Sequence, residues 1–127
     1  MNIIDSSGWL EYFADGANAL FFSQPLRKPV ELIVPTITIY EVFKTVLRQR
    51  DESDALQAIA LMEQGSVVDL TANISILAAK ISLERNMPMA DSIILTTGRI
   101  YQATIWTQDS DFEGIEGVRY IPTKLKG

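Results

Sequence analysis

Short apolar runs alternate along this chain with longer stretches in which apolar positions recur every three or four residues. The runs are Asn2-Ile3-Ile4, then 30–34, 67–70, 103–106 and 118–121. They are short and nearly all apolar, as strands buried on both faces of a sheet are. Between them the spacing is helical. Trp9, Leu10 and Phe13 follow Ser6-Ser7-Gly8 and stop at Asp15-Gly16. A short apolar helix is expected over 17–22, ended ahead of Pro25. Ile39, Val42, Phe43, Val46 and Leu47 predict a helix over 37–50. Leu56, Ile59, Ala60 and Met62 predict the inner face of another over 51–64, with Gly65 as its stop. Thr71 caps a helix through Glu84 that carries Ile74, Leu77, Ala78 and Ile81 on one face. Pro88 suits the first turn of a last helix, with Ala90, Ile93, Ile94, Thr97 and Tyr101 at helical spacing.

Strands alternating with helices predict an α/β fold, a three-layer α/β/α sandwich around a central parallel sheet of four or five strands. The 127 residues suit one domain, 1–127, and no repeat or linker divides them.

Composition narrows the chemistry. The chain has no cysteine and no histidine. Disulfides, thiolate nucleophiles, Ser-His-Asp catalysis and histidine-ligated zinc are therefore excluded. Acid–base or metal chemistry is left to carboxylates, of which there are 16 against 11 basic residues, a net charge of −5. That balance argues against a nonspecific nucleic-acid coat but allows a local basic track. The N-terminus has no basic n-region and no apolar run reaches a membrane span, so a cytoplasmic location is expected.

Four acids hold a distinctive place in the pattern. In open parallel sheets, ligands bind outside the carboxyl ends of the strands. Asp5 follows the first strand and Asp109 the fourth, while Glu41 and Asp91 are expected in the first turns of helices that begin at the same edge. Each has an ordinary structural reading. Asp5 can cap a helix, Glu41 can close a capping box with Thr38, Asp91 can answer a helix dipole, and Asp109 can form a turn. All four at one edge point instead to a shared site. Convergent carboxylates repel, and a divalent cation removes that cost. Oxygen-only ligands suit Mg²⁺ or Mn²⁺, which acidifies a bound water and stabilises charge on a phosphoryl oxygen. Ser7 and Thr107 lie beside the acids and can support them.

Four segments carry a resemblance: Ile3-Ile4-Asp5-Ser6-Ser7, Thr38-Ile39-Tyr40-Glu41-Val42, Ala90-Asp91-Ser92-Ile93-Ile94 and Thr107-Gln108-Asp109-Ser110-Asp111-Phe112. In this order and spacing the chain resembles the PIN-domain ribonucleases, and among them the small VapC-type toxins of toxin–antitoxin pairs. The resemblance implies a magnesium-dependent endoribonuclease with Asp5, Glu41, Asp91 and Asp109 around the metal. Asp111 is an alternative or support for Asp109. A protein antitoxin and homodimerisation are implied as well. Two other readings compete: a catalytically idle PIN scaffold that only binds protein, and a phosphorelay receiver domain. The second lacks an acidic pair after the first strand and a phospho-accepting Asp after the third, where Leu70-Thr71 stands. RNA is the expected substrate, although nothing in the sequence reads a 2′-hydroxyl, so DNA stays open.

Lys44 and Arg48, four residues apart beyond Glu41, are candidates to meet the RNA backbone, with Arg27, Lys28 and Arg85 as others. Trp9, Tyr12, Phe13, Phe21 and Phe22 are more aromatic surface than two short helices usually bury. Adjacent Phe21 and Phe22 cannot both face inward on one helix. Phe13 and one of those two are expected in the core and at least the other in an apolar groove, so that Trp9, Phe21 and Phe22 are the candidates to meet an antitoxin helix whose basic residue reaches Asp5 and Asp91.

Overall fold

The computed structural model describes residues 1–124. Its elements in chain order are β1 (Asn2–Ile4), α1 (Ser6–Phe13), α2 (Ala19–Leu26), β2 (Ile33–Pro35), α3 (Thr36–Gln49) and α4 (Glu52–Met62), followed by β3 (Ser66–Val68), α5 (Ala72–Arg85), α6 (Met89–Ile100), β4 (Thr104–Thr107) and β5 (Val118–Tyr120). Short 3₁₀ turns cover Pro29–Glu31 and Ser110–Phe112.

All five strands pair in parallel, as expected for this α/β sandwich, but not as one continuous ladder. β1, β4 and β5 form a three-stranded sheet with β4 in the middle, and β2 pairs with β3 alone. A single bridge between Asn2 and Leu32 joins the two pieces. The split replaces the expected sheet of four or five strands. β2 is only three residues long and ends in Pro35, which has no N–H for a ladder.

Successive residues of a strand point to opposite faces, and here each face has its own core. Ile4, Val34 and Trp106 join Trp9, Phe22, Val42, Ala55 and Met62 under α1–α4. Their neighbours Ile3, Ile33 and Ile105 join Ile81, Ile94, Leu95 and Phe112 under α5 and α6. Close approach matters most at Gly8. A Cβ there would lie 2.5 Å from Phe22 Cε1 and 2.7 Å from Ile4 Cγ2, so a glycine lets α1 start tight against α2 and β1.

Several boundaries differ from the periodicity. α2 runs through Pro25 instead of stopping before it. Proline denies the Phe21 carbonyl its helical donor, and the Gln24 side chain supplies one at 3.2 Å. Residues 30–31 are not strand: Pro29 starts a 3₁₀ turn and Val30 is 84% exposed. β3 comes one residue early, leaving Asp69 and Leu70 outside it. On α4 the inner face is Ala55, Ala58 and Met62, the two alanines admitting α3, while Leu56 and Ala60 are exposed. Pro88 is the N-cap of α6, not its first helical residue.

Candidate metal centre

Asp5 directly follows β1, and its N–H extends the ladder to the Trp106 carbonyl at 3.1 Å. Its carboxylate caps α1, with Oδ1 accepting from Gly8 N at 2.9 Å and Ser7 Oγ at 2.7 Å. Oδ2 accepts from Thr107 Oγ1 at the end of the neighbouring strand. The side chain is almost wholly buried. Burial pushes its pKa up to about 6; the bonds from Thr107, Ser7 and Gly8 hold the rise back, and the charge of Asp109 adds to it.

The other acids arrive from α6 and the turn after β4. Asp91 stands in the first turn of α6, where the helix dipole favours a negative charge. Asp109 N–H donates to Thr107 Oγ1 at 2.9 Å, and Asp109 Oδ1 accepts from Asp111 N at 2.9 Å, capping the Ser110–Phe112 turn. Phe112 is fully buried and anchors that turn. Carboxylate oxygens of Asp91, Asp109 and Asp111 lie within 4.8 Å of one another. Asp91 is pushed up to about 8, first by burial, then by the Asp109 charge and a hydrogen bond to Asp109, then by Asp5 and Asp111. Among the described residues no ion pair neutralises the cluster; the pairs present are Lys28–Glu31 and Arg50–Asp54. Crowded, uncompensated oxygen donors of this kind fit a hard divalent cation.

Glu41 is not in that group. It lies in the second turn of α3, not the first, and its Oε1 accepts from Ser6 Oγ, beside Asp5. The capping box with Thr38 does not form, because the Thr38 hydroxyl donates to the Pro35 carbonyl at 2.6 Å. Ser7 and Thr107 both hold Asp5, and Ser7 also accepts from Gln108 N at 3.3 Å.

The surface assignments need correction. Trp9 and Phe22 are fully buried in the core under α1–α4 and offer nothing to a partner. Their volume fills the gap over β1 and β4 that small helices leave. Phe21 is half-buried, its ring 5.0 Å from those of Phe22 and Trp106. Arg27 and Lys28 precede the turn that feeds the amino end of β2. They therefore sit at the opposite sheet edge from the acids, and Lys28 already meets Glu31 at 3.7 Å. Lys44 and Arg48 are exposed on α3, with Lys44 Nζ 5.7 Å from the Tyr40 ring centre.

An apolar groove does exist, elsewhere. It opens between α1, α3 and α4, has a volume of about 900 Å³, and is lined by Leu10, Phe13, Val46, Ala58 and Leu61 with Glu11 and Asp54 among them. It reaches Ser7, which donates to Asp5, and Gln108, whose N–H donates to Ser7 Oγ. No helix among the described residues is long and apolar enough to cross a membrane.

The chain is similar in structure to a toxin–antitoxin complex from Klebsiella pneumoniae, at 21% identity and a TM-score of 0.77 over 94% of this chain and 96% of that one. It is similar to VapC20 of Mycobacterium tuberculosis, a sarcin–ricin loop cleaving toxin, at 18% identity and a TM-score of 0.77 over 91% and 95%. VapBC2 from Rickettsia felis, bound to a DNA fragment from its promoter, gives 12% and 0.73 over 95% and 97%. At such identities the likeness is one of fold. No curated protein matches the chain closely enough to count as a relative. The PIN domain family model matches residues 3–118, a span holding every acid described above, and the chain belongs to the PIN domain family.

Proposed function

We propose that this chain is a divalent-metal-dependent endoribonuclease and the toxin of a toxin–antitoxin pair. The observation that carries this reading is the unneutralised trio Asp91, Asp109 and Asp111 beside buried Asp5. Asp91, Asp109 and Asp111 would hold the cation, with Asp5 and Glu41 completing the acidic surround. When bound, Mg²⁺ or Mn²⁺ neutralises these carboxylates, stabilises charge on a phosphoryl oxygen and makes a water more acidic. The protein's own part is placement. Ser7, Gly8 and Thr107 fix Asp5, Thr107 fixes the backbone of Asp109, and Ser6 fixes Glu41. Asp91, raised to about 8 first by burial and then by the Asp109 charge, would give up its proton when a cation binds. With no histidine, carboxylates carry the remaining proton transfers. Lys44 and Arg48 supply positive charge to the RNA on the α3 side.

Incubating the purified, partner-free protein with a panel of RNAs tests this. Cleavage is expected with Mg²⁺ or Mn²⁺ and none after exhaustive chelation. Metal binding without cleavage of any RNA would favour an idle scaffold, and cutting of DNA alone would reassign the substrate.

The trio also ranks its members. Asp109 caps the turn, is held through Thr107 and is half-buried, while Asp111 is exposed. Asp109→Asn is expected to cost more cleavage than Asp111→Asn. Single-turnover rates in the reverse order, with both variants folded, would move the principal ligand to Asp111.

The antitoxin is assigned to the groove between α1, α3 and α4. Its apolar residues Leu10, Phe13, Val46 and Leu61 suit a helix, and one end reaches Ser7 and Gln108 beside the metal centre. Leu61→Asp is expected to weaken binding of the neighbouring reading frame's product by about tenfold or more while leaving cleavage intact. Unchanged affinity would remove the partner from this groove. A homodimer and a cytoplasmic location complete the proposal. Ile76 and Leu83, both exposed on α5, offer an apolar stripe for self-association, which sedimentation measures.

A further inference from the structure

We propose that Asn18 is a positioning residue for the metal centre, holding the turn that carries Asp109; the inference rests on the metal-binding reading above. Asn18 occupies the N-cap position of α2, where an asparagine side chain ordinarily accepts a helix N–H. This one makes no such bond. It is 2% exposed and spends its amide hydrogens on two distant segments. Nδ2 donates to Gln108 Oε1 at 3.0 Å and to the Pro122 carbonyl at 3.0 Å. Its backbone N–H is held by Glu11 Oε2 at 2.8 Å, which fixes the approach from α1. Oδ1 is buried with no partner. A buried acceptor without a donor costs stability, and an asparagine chosen only to cap α2 would use it. The orientation of the amide is set by what it donates to.

Those recipients lead to the acids. Gln108 N–H donates to Ser7 Oγ, which donates to Asp5. The next residue, Asp109, is fixed through Thr107 Oγ1, which also donates to Asp5. The chain past β5 lies on the other side: Ile121 N–H donates to the Thr107 carbonyl at 3.0 Å and Thr123 Oγ1 to the Gln108 carbonyl at 3.3 Å. Asn18 closes this bracket by tying residues 108 and 122 to the start of α2. Without it the Gln108 side chain has no bond to the body of the protein, and the Asp109 carboxylate loses a constraint on its distance to Asp91.

Calorimetric titration with Mn²⁺, with no RNA present, tests the assignment. Asn18→Ala is expected to weaken Mn²⁺ affinity by about tenfold, the scale of an outer-shell loss at a metal site. Gln108→Ala breaks the same bond from its half-buried partner and decides the matter if Asn18→Ala does not fold. The two losses should be equal and not additive, and Asn18→Ala should change nothing once Asp109 is Asn. A general packing role would instead lower thermal stability in chelator and leave Mn²⁺ affinity alone. Wild-type Mn²⁺ affinity in the folded variants would overturn the inference, as would a loss that persists in the Asp109→Asn background. If the unaltered chain binds no Mn²⁺, the metal reading itself falls, and this inference with it.

Discussion

On the proposed nuclease reading, Asp91→Asn is expected to leave a folded protein with RNA cleavage lower by about a thousandfold, the scale on which removal of one preorganised charged or polar group acts in a catalytic centre. The expectation follows from the state of Asp91 without metal. Burial and the neighbouring charges of Asp109, Asp5 and Asp111 raise its pKa to about 8, so near neutral pH it mostly carries a proton. Asparagine copies that neutral shape and removes the charge a cation needs. The same change at Asp5 has a different profile. Its two oxygens already accept from Gly8 N, Ser7 Oγ and Thr107 Oγ1. An amide nitrogen cannot accept, so Asp5→Asn strands at least one buried donor and costs stability as well as cleavage. Single-turnover cleavage with thermal unfolding of both variants reads the two effects separately. Asp91→Asn with near wild-type rates in Mg²⁺ would remove Asp91 from the metal centre.

Without metal, the protein is expected to lose stability as pH rises from 6 to 8, and with Mn²⁺ to regain it. Asp5 and Asp91 both have folded pKa values, about 6 and about 8, above the ordinary 3.8. Between 3.8 and those values the folded state binds more protons than the unfolded one, so the free energy of unfolding falls as pH rises. The Asp5 contribution is spent by about pH 6 and the Asp91 contribution by about pH 8. Protons and Mn²⁺ compete for the same oxygens, so metal affinity strengthens over that window. Free Mn²⁺ at about a hundredfold over its Kd adds about 2.7 kcal/mol. Melting curves in chelator and in Mn²⁺, taken from pH 6 to 8, should diverge with rising pH. Asp91→Asn should flatten the chelator curve. A chelator curve that is flat or rising in the unaltered protein would contradict the repulsion assigned to the cluster.

Much of the fold was legible in local pattern. Paired apolar neighbours such as Ile3-Ile4 and Ile105-Trp106 announce strands with a core on each face, and that is what they build. Thr71 caps the helix it was expected to cap, its Oγ1 accepting from Ile74 N at 3.2 Å. Asp5 and Asp109 could be placed at one edge because a residue just past a parallel strand has only one edge to occupy. These inferences rest on neighbours in the chain, where spacing translates directly into facing.

What only the tertiary structure decided involves residues far apart in sequence. It gathered Asp91 and Asp109 with Asp111, which the sequence offers as an alternative or support for Asp109, and set Glu41 on Ser6 outside the trio. It buried Trp9, and of the adjacent phenylalanines Phe22 and not Phe21, because helix and sheet close over them. It carried Arg27 and Lys28 to the far edge, and divided the sheet at the bridge between Asn2 and Leu32. It joined Asn18 to Gln108 across 90 residues. A periodicity reports which side of its own helix or strand a residue takes. Which side chains then meet depends on how those elements pack, and on burial and charge summed over all of them, which no local spacing encodes.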